Sequence, residues 1–231
     1  MAGLTCNLSG KAQIIFRKLH KTIGKHGQIY LVGGAIRDTL LKRGDIHDLD
    51  FATDCNYKSV VNYFPKAVLF PRFGTASFKI EDYNITVSSF RVESLYEDFR
   101  HPSMVMFVRS LEEDYQRRDF TINALYADIS GKVIDPTNLG INDLKNKIIR
   151  CVGDPQEKFS EDPLRIVRAL RLKLELNFTI EENTLLAMKY NLSLIREIRP
   201  FKLAEEINKT SDKNKQEIMR LLNSGLFDLE S

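Results

Sequence analysis

The amino-acid sequence predicts an α+β protein: a head with a mixed β-sheet flanked by helices, followed by a region whose strong signals are all helical. Three observations predict it. The apolar run Ile29-Tyr30-Leu31-Val32 passes through Gly33 and Gly34 into helical spacing at Ile36, Leu40 and Leu41, which reads as strand, glycine turn, helix. Period-two or β-rich stretches then recur at 47–53, 67–70, 75–80 and 85–90, as a sheet requires. From Ile141 onward only helical periodicity is strong.

Taken in order, residues 10–27 carry Ile14, Ile15, Leu19 and Ile23 at helical intervals among Lys and Arg, an amphipathic helix. Residues 29–32 form the first strand and 35–42 the helix after the glycines. Alternation of charged and apolar residues makes 47–53 a strand, and 58–63 fits a short helix. The segments 67–70, 75–80 and 85–90 complete the sheet. Between Val92 and Pro102, Glu, Tyr, Asp, Arg and His crowd together without period, as in a mobile loop between sheet and helix. Residues 110–135 return to the sheet. Helices then open at Asp154-Pro155 and run over 181–198 and 213–226. No internal repeat or low-complexity tract interrupts this order.

Composition narrows the class. A 231-residue chain with 43% hydrophobic and 28% charged residues buries enough surface to need no disulfide or zinc staple, which excludes collagenous and disordered chains. No run approaches the length of a membrane span, and the first residues lack the basic-then-apolar order of a signal peptide; the expected location is the cytoplasm, with no membrane partner. Cys6, Cys55 and Cys151 are far apart and outside any C-x-x-C spacing, so they read as reduced thiols. A net charge of +3 does not by itself mark a nucleic-acid binder.

Four segments carry candidate chemistry. In Asp48-Leu49-Asp50 the period of a strand puts both carboxylates on one face. They suit Mg²⁺, which keeps waters and takes phosphate oxygens as its remaining ligands, or else they are the polar face of an exposed strand. The turn at Gly33 and Gly34 lets backbone approach a phosphate at a helix start, with Arg37 one turn inside; the alternative is a tight turn with a surface arginine. It matches neither a Walker loop nor the G-x-G-x-x-G fingerprint. Arg117-Arg118-Asp119-Phe120-Thr121-Ile122-Asn123 joins guanidiniums suited to phosphate with groups that hydrogen-bond a ribose, or is a capped helix with exposed arginines. In Glu161-Asp162-Pro163-Leu164-Arg165, Asp162 is either the N-cap of a helix with Arg165 as its salt-bridge partner, or pairs with Arg165 to meet a base edge, with Arg168 and Arg171 following along the phosphates.

The segments GGAIRD, DLDFAT, RRDFTINA and EDPLRIVRALR, in this order, resemble class II tRNA nucleotidyltransferases. These are CCA-adding enzymes of the polymerase-beta-like superfamily, kin of bacterial poly(A) polymerases, and the resemblance runs from about Tyr30 to about Glu206. It implies a catalytic nucleotidyltransferase head over 1–136, a nucleotide-selecting helical neck over 137–209, and the start of a truncated helical body over 210–231. It further implies that Gly33, Gly34 and Arg37 hold the triphosphate and that Asp48 and Asp50 are catalytic and bind Mg²⁺. Arg118 would contact phosphate, Asp119 and Asn123 the sugar. Asp162 and Arg165 would template CTP or ATP, with Arg168 and Arg171 completing the nucleotide contacts. The segment with Asp98 and Arg100 resembles the family's flexible loop, and Gly74-Thr75 after Arg72-Phe73 resembles the CCA branch.

The implied partners are a tRNA 3′ end, CTP and ATP. Three departures stand out: Thr86 lies where relatives usually carry a Glu, Phe201-Lys202-Leu203-Ala204-Glu205-Glu206 matches the family's fifth, helical motif only loosely, and the chain stops soon after its body begins. The apolar residues Ile218, Leu221, Leu222, Leu226 and Phe227 would then lie uncovered, which favours self-association. The alternatives are a bacterial poly(A) polymerase and, of another class, a non-catalytic nucleotide or RNA-binding module.

Overall fold

The computed structural model describes residues 4–8, 10–96, 102–226 and 229. These group into two compact units, the first drawn from 1–93, 105–118 and 122–141, the second from 94–104, 119–121 and 142–231.

The first unit holds a seven-stranded mixed sheet. Its strands are β1 (Ile29–Val32), β2 (Asp48–Thr53), β3 (Val68–Phe70), β4 (Thr75–Ile80), β5 (Tyr83–Ser89), β8 (Tyr126–Ala127) and β9 (Val133–Ile134), in the order β3-β4-β5-β2-β1-β8-β9. Only β2 and β5 run parallel; the other neighbours are antiparallel. Helix α1 (Gly10–Thr22) turns Ala12, Ile15, Phe16 and Leu19 inward, the spacing of one helical face. That face joins the cluster of Leu31, Leu49, Phe51, Ile85 and Val87, with the rings of Phe16 and Phe51 5.1 Å apart. Ile14, counted with the apolar positions of this helix from sequence, points outward.

Because strand side chains alternate, the residues between Leu49 and Phe51 belong to the other sheet face. There Val32 and Ala52 pack with Phe90, Leu111 and Tyr126 in a second apolar cluster. Asp48 and Asp50 lie beyond it on the same strand, and both are exposed. Helix α2 (Gly34–Leu40) follows β1, α3 (Val60–Tyr63) follows β2, and α4 (Leu111–Asp114) is capped by Ser110, whose hydroxyl accepts from the Glu112 N–H at 3.1 Å.

Of the stretch expected to be a loop from Val92 to Pro102, residues 92–96 and Pro102 lie in strands, and 97–101 lie outside the described residues. Arg91–Tyr96 (β6) and Pro102–Phe107 (β7) form a two-stranded ribbon. Charged and polar residues at 93 and 94 break any apolar period along the first strand of this ribbon. Asp98 and Arg100 lie outside the described residues. Likewise 110–135 returns to the sheet only in the short strands β8 and β9, after α4 and two turns of 3₁₀ helix.

In the second unit, α5 (Gly140–Asn146, begun in the first), α6 (Pro155–Glu161), α7 (Leu164–Leu176), α8 (Glu182–Tyr190), α9 (Pro200–Ile207) and α10 (Asp212–Asn223) dominate. A short parallel strand pair, β10 (Ile148–Ile149) with β11 (Thr179–Ile180), joins them. Asp154 caps α6 at the Gln156 N–H (2.7 Å), with Pro155 first in the helix. Asn177 ends α7 in the left-handed region at φ 55°, a conformation Asn tolerates. The expected uncovered stripe on the last helix does not occur: α10 packs against α7, and Ile218, Leu221 and Leu226 are buried. Among the described residues, most of the apolar face expected to drive self-association through this helix is therefore already covered. Leu222 is half-buried, and Phe227 lies outside the described residues. No described helix is long and apolar enough to cross a membrane.

Candidate active site

Strand register sets the two carboxylates. Asp50 pairs with Val32 of β1, so the glycine turn begins one residue past the neighbour of Asp50. Gly33 has φ 74° and ψ −141°, a backbone conformation open to glycine alone at little cost. On the other side, β5 places Asn84 beside Asp48 and Thr86 beside Asp50. The Asn84 amide donates to the Asp48 carboxylate at 2.6 Å, while the hydroxyls of Thr86 and Ser77 lie 3.4 Å apart. Thr86 thus places a neutral hydroxyl on the strand position beside Asp50.

The donor set fits Mg²⁺. Two hard carboxylates on one rigid, exposed face leave the remaining ligand positions to water and phosphate, the arrangement this cation favours over an all-protein cage. No group of three or more acidic, His or Cys residues able to hold a metal occurs among the described residues.

Arg37 is buried and turned back on its own helix. Its Nε and Nη2 donate to the two carboxylate oxygens of Asp38 at 3.0 and 2.8 Å, and Nη1 donates to the side-chain oxygen of Asn123 at 2.7 Å. A Cβ on Gly34 would lie 3.4 Å from the same guanidinium. The structure therefore brings Gly34, Arg37 and Asn123 together, with Arg37 oriented toward Asn123.

Arg118 is gripped by a pair that sequence reasoning missed. Its Nε donates to the Tyr126 hydroxyl at 2.8 Å and its Nη2 to Asp114 at 3.1 Å, with the guanidinium 4.6 Å from the Tyr126 ring centre. Asp114 is fully buried. Burial pushes its carboxyl up, but the Arg117 and Arg118 charges and the Tyr126 hydrogen bond outweigh it and bring it down to about 2. The spacing of Asp114 three and four residues before Arg117 and Arg118 is a helical ion-pair signal that sequence reading can find. Tyr126 carries no local signal.

In the second unit, Asp119 accepts from the Phe120 N–H at 2.7 Å and from Arg168 Nε at 2.9 Å. The charge of Asp119, more than any other group, raises the Arg168 pKa. Asp162 stands at the entrance of α7, where its carboxylate accepts from the Leu164 N–H at 3.2 Å, as a capping residue does. Arg165 is buried and donates to the Lys158 carbonyl at 2.9 Å, with Glu161 at 3.3 Å. Arg171 donates to Glu206 and to Glu175, both at 2.9 Å. Glu206, almost fully buried, also meets Lys209 at 2.7 Å.

A mixed sheet that carries an exposed Asp-x-Asp beside a strand-glycine-helix turn defines a nucleotidyltransferase head. Residues 29–150, more than half of the chain, match the family model described as the poly A polymerase head domain, and the chain belongs to that family. It is 43% identical over 183 residues to the CCA-adding enzyme of Lactobacillus helveticus (strain DPC 4571), covering 79% of this chain and 45% of that protein. Identity to the CCA-adding enzyme of Enterococcus faecalis (strain ATCC 700802 / V583) is 48% over 162 residues, 70% of this chain and 39% of the other. Among solved structures, the Bacillus stearothermophilus CCA-adding enzyme in complex with CTP matches at 36% identity and TM-score 0.73, over 86% of this chain and 47% of that one. A tRNA nucleotidyltransferase complexed with a primer tRNA and an incoming ATP analog matches at 33% identity and TM-score 0.70, over 90% and 59%. The chain thus spans about half the length of the curated relatives it matches.

Proposed function

We propose that this chain is the nucleotide-transferring part of a CCA-adding enzyme: the 3′ hydroxyl of a tRNA attacks the α-phosphate of CTP or ATP, and pyrophosphate leaves. The observation that carries the reading is the exposed pair Asp48 and Asp50, set by strand register beside the Gly33–Gly34 turn. Similarity to CCA-adding enzymes, among them structures with CTP and with primer tRNA and an ATP analog, supports the substrates. A tRNA substrate agrees with the cytoplasmic location expected from sequence.

Residues 1–136 then act as head, 137–209 as neck and 210–231 as the first part of a body. Asp48 and Asp50 hold Mg²⁺, which when bound neutralises charge on the attacking and leaving oxygens. The backbone at Gly33 and Gly34 lies against phosphate and Arg37 holds the triphosphate with them, while its Nη1 bond to Asn123 steadies the amide that meets the sugar. Arg118 meets phosphate charge as a planar donor fork, and Asp119 takes a sugar hydroxyl. Asp162 and Arg165 read the base edge, a role that coexists with capping because a carboxylate accepts several hydrogen bonds. Arg168 and Arg171 complete the nucleotide contacts.

The test offers CTP and ATP, singly and together, to a tRNA lacking its CCA end. Use of CTP first and a stop after one A is expected. A poly(A) polymerase, the reading favoured by the name of the family model, ignores CTP and keeps adding A. Absence of any transfer, equal in the chain and in Asp50→Ala, points to a non-catalytic binding module.

A further inference from the structure

We infer that Asp114 is a positioning residue: its carboxylate ties Arg118 to the base of the β6–β7 ribbon, so that one buried group sets both the phosphate contact and the ribbon. The inference rests on the reading of Arg118 as a phosphate ligand. Asp114 itself touches no substrate.

The two oxygens of Asp114 face different ways. One accepts from the backbone N–H of Arg91, the first residue of the ribbon, at 3.1 Å, and from Arg117 Nε at 2.9 Å. The other accepts from Arg118 Nη2 at 3.1 Å and from the Tyr126 hydroxyl at 2.6 Å. Tyr126 closes a triangle, because the hydroxyl that donates to Asp114 also accepts from Arg118 Nε. A guanidinium is planar, so holding it at Nε and Nη2 fixes its plane, and Nη1 is the end this grip leaves to meet an anion.

The ribbon end of the cluster is less fully satisfied. Arg91 Nε donates to Glu93 at 2.6 Å, and Arg117 Nη1 is 4.0 Å from the same carboxylate. Yet Arg91 Nη1 is buried with no hydrogen-bond partner. Burial and the neighbouring Arg117 lower the Arg91 guanidinium to about 10. Three arginines, 91, 117 and 118, therefore share Asp114 and Glu93, with a buried guanidinium nitrogen lacking an acceptor at the ribbon end and Arg118 held at both Nε and Nη2. Any displacement of the ribbon base is felt first at Arg91 N–H and Arg117, and reaches Arg118 through the shared carboxylate.

The experiment measures CTP and ATP transfer to tRNA lacking CCA, with direct CTP titration and thermal melting, for Tyr126→Phe, Asp114→Asn, Glu93→Gln and the double variant Asp114→Asn/Glu93→Gln. A lost charge-assisted contact to phosphate does not depend on the base. The KM for CTP and for ATP is therefore expected to rise by the same factor, about tenfold for Tyr126→Phe or Asp114→Asn, with kcat and rejection of UTP unchanged. Because Glu93 acts through the same carboxylate, the double variant is expected to fall short of the product of the single effects. If Asp114→Asn fails to fold, Tyr126→Phe, which keeps the ring and every charge, decides alone. A folded Tyr126→Phe with unchanged KM, or one that lowers kcat alone, overturns the positioning role. Strictly multiplicative effects overturn the tie to the ribbon. Failure of the unsubstituted chain to bind CTP at all is a separate result, which removes the nucleotidyltransferase reading and this inference with it.

Discussion

Asp48 and Asp50 on β2 and Asp114 at the end of α4 are carboxylates of one unit with opposite fates. The first two stand exposed on a rigid strand, beside an asparagine amide and two hydroxyls. The third is fully buried and takes four hydrogen bonds from arginines, a tyrosine and a backbone N–H. An isolated buried carboxylate is costly unless paired and hydrogen-bonded, so Asp114 is bound up with the stability of its surroundings. An exposed pair on a strand contributes little to the core and stands within reach of a cation from solvent. The contrast separates acids that hold the fold from acids that hold a ligand, and it can be tested from both sides.

The largest effect expected is on catalysis. Asp48→Ala or Asp50→Ala should reduce CTP incorporation by about a thousandfold or more, since removal of a metal ligand withdraws several kcal/mol of transition-state stabilisation. The melting temperature should stay within a degree or two. A large drop in melting temperature in either variant would erase the contrast with Asp114.

Asp114→Ala should give the converse. Truncating one partner of a buried ion pair costs about 3–5 kcal/mol, readable as a shift in the urea midpoint. Acid offers a gentler probe. The Asp114 carboxyl is depressed to about 2 in the folded chain, below its unfolded value near 4, so its contribution is fully present above about pH 4 and is lost as pH falls through 2. That contribution is about 2 kcal/mol. Urea midpoints measured between pH 5 and 2 should decline more steeply for the unsubstituted chain than for Asp114→Asn. Equal slopes would show that Asp114 is not ionised against its arginines.

Asp162 lies between the two kinds. As a cap of α7 its replacement by Ala should cost about 1 kcal/mol, and as a base reader it should also erode preference for CTP and ATP over UTP and GTP. Stability loss with intact selectivity would leave only the cap. The smallest effect concerns Thr86, in register with Asp50. Thr86→Glu adds a third acid at the exposed face and should lower the Mg²⁺ concentration for half-maximal rate by about twofold to fivefold; an unchanged or higher requirement would show that two carboxylates suffice.

Much of the first unit was legible because its signals are local. The alternation in DLDFAT forces Leu49 and Phe51 inward and the aspartates outward, and a double glycine after an apolar run can hardly be anything but a turn. The ribbon was not legible, since Arg91 and Glu93 are partners across two residues in a segment with no apolar period. Nor was the Arg37 contact with Asn123, which joins positions 86 residues apart and leaves no trace in either neighbourhood. The last helix misled for a related reason. Its apolar stripe is visible in the sequence, but the partner that covers it, α7, is distant in the chain, so the stripe reads as uncovered.

The short segment 119–121 bears on how the chain can be assembled. It belongs to the second unit although residues on both sides of it belong to the first. Its Thr121 N–H donates to the Arg150 carbonyl at 2.9 Å, the Val152 N–H donates to the Asp119 carbonyl at 3.0 Å, and the Thr121 hydroxyl donates to Asp143 at 2.7 Å. No single cut therefore yields two self-sufficient fragments. A recombinant piece beginning near residue 142 leaves the backbone at Arg150 and Val152 without its partners, and such buried polar groups are costly to leave unmade. During synthesis the segment emerges about thirty residues before the stretch that receives it, so the helical unit must wait for a loop to close. Supplying residues 119–121 in trans, as a peptide extended on both sides, is the natural way to rescue such a fragment.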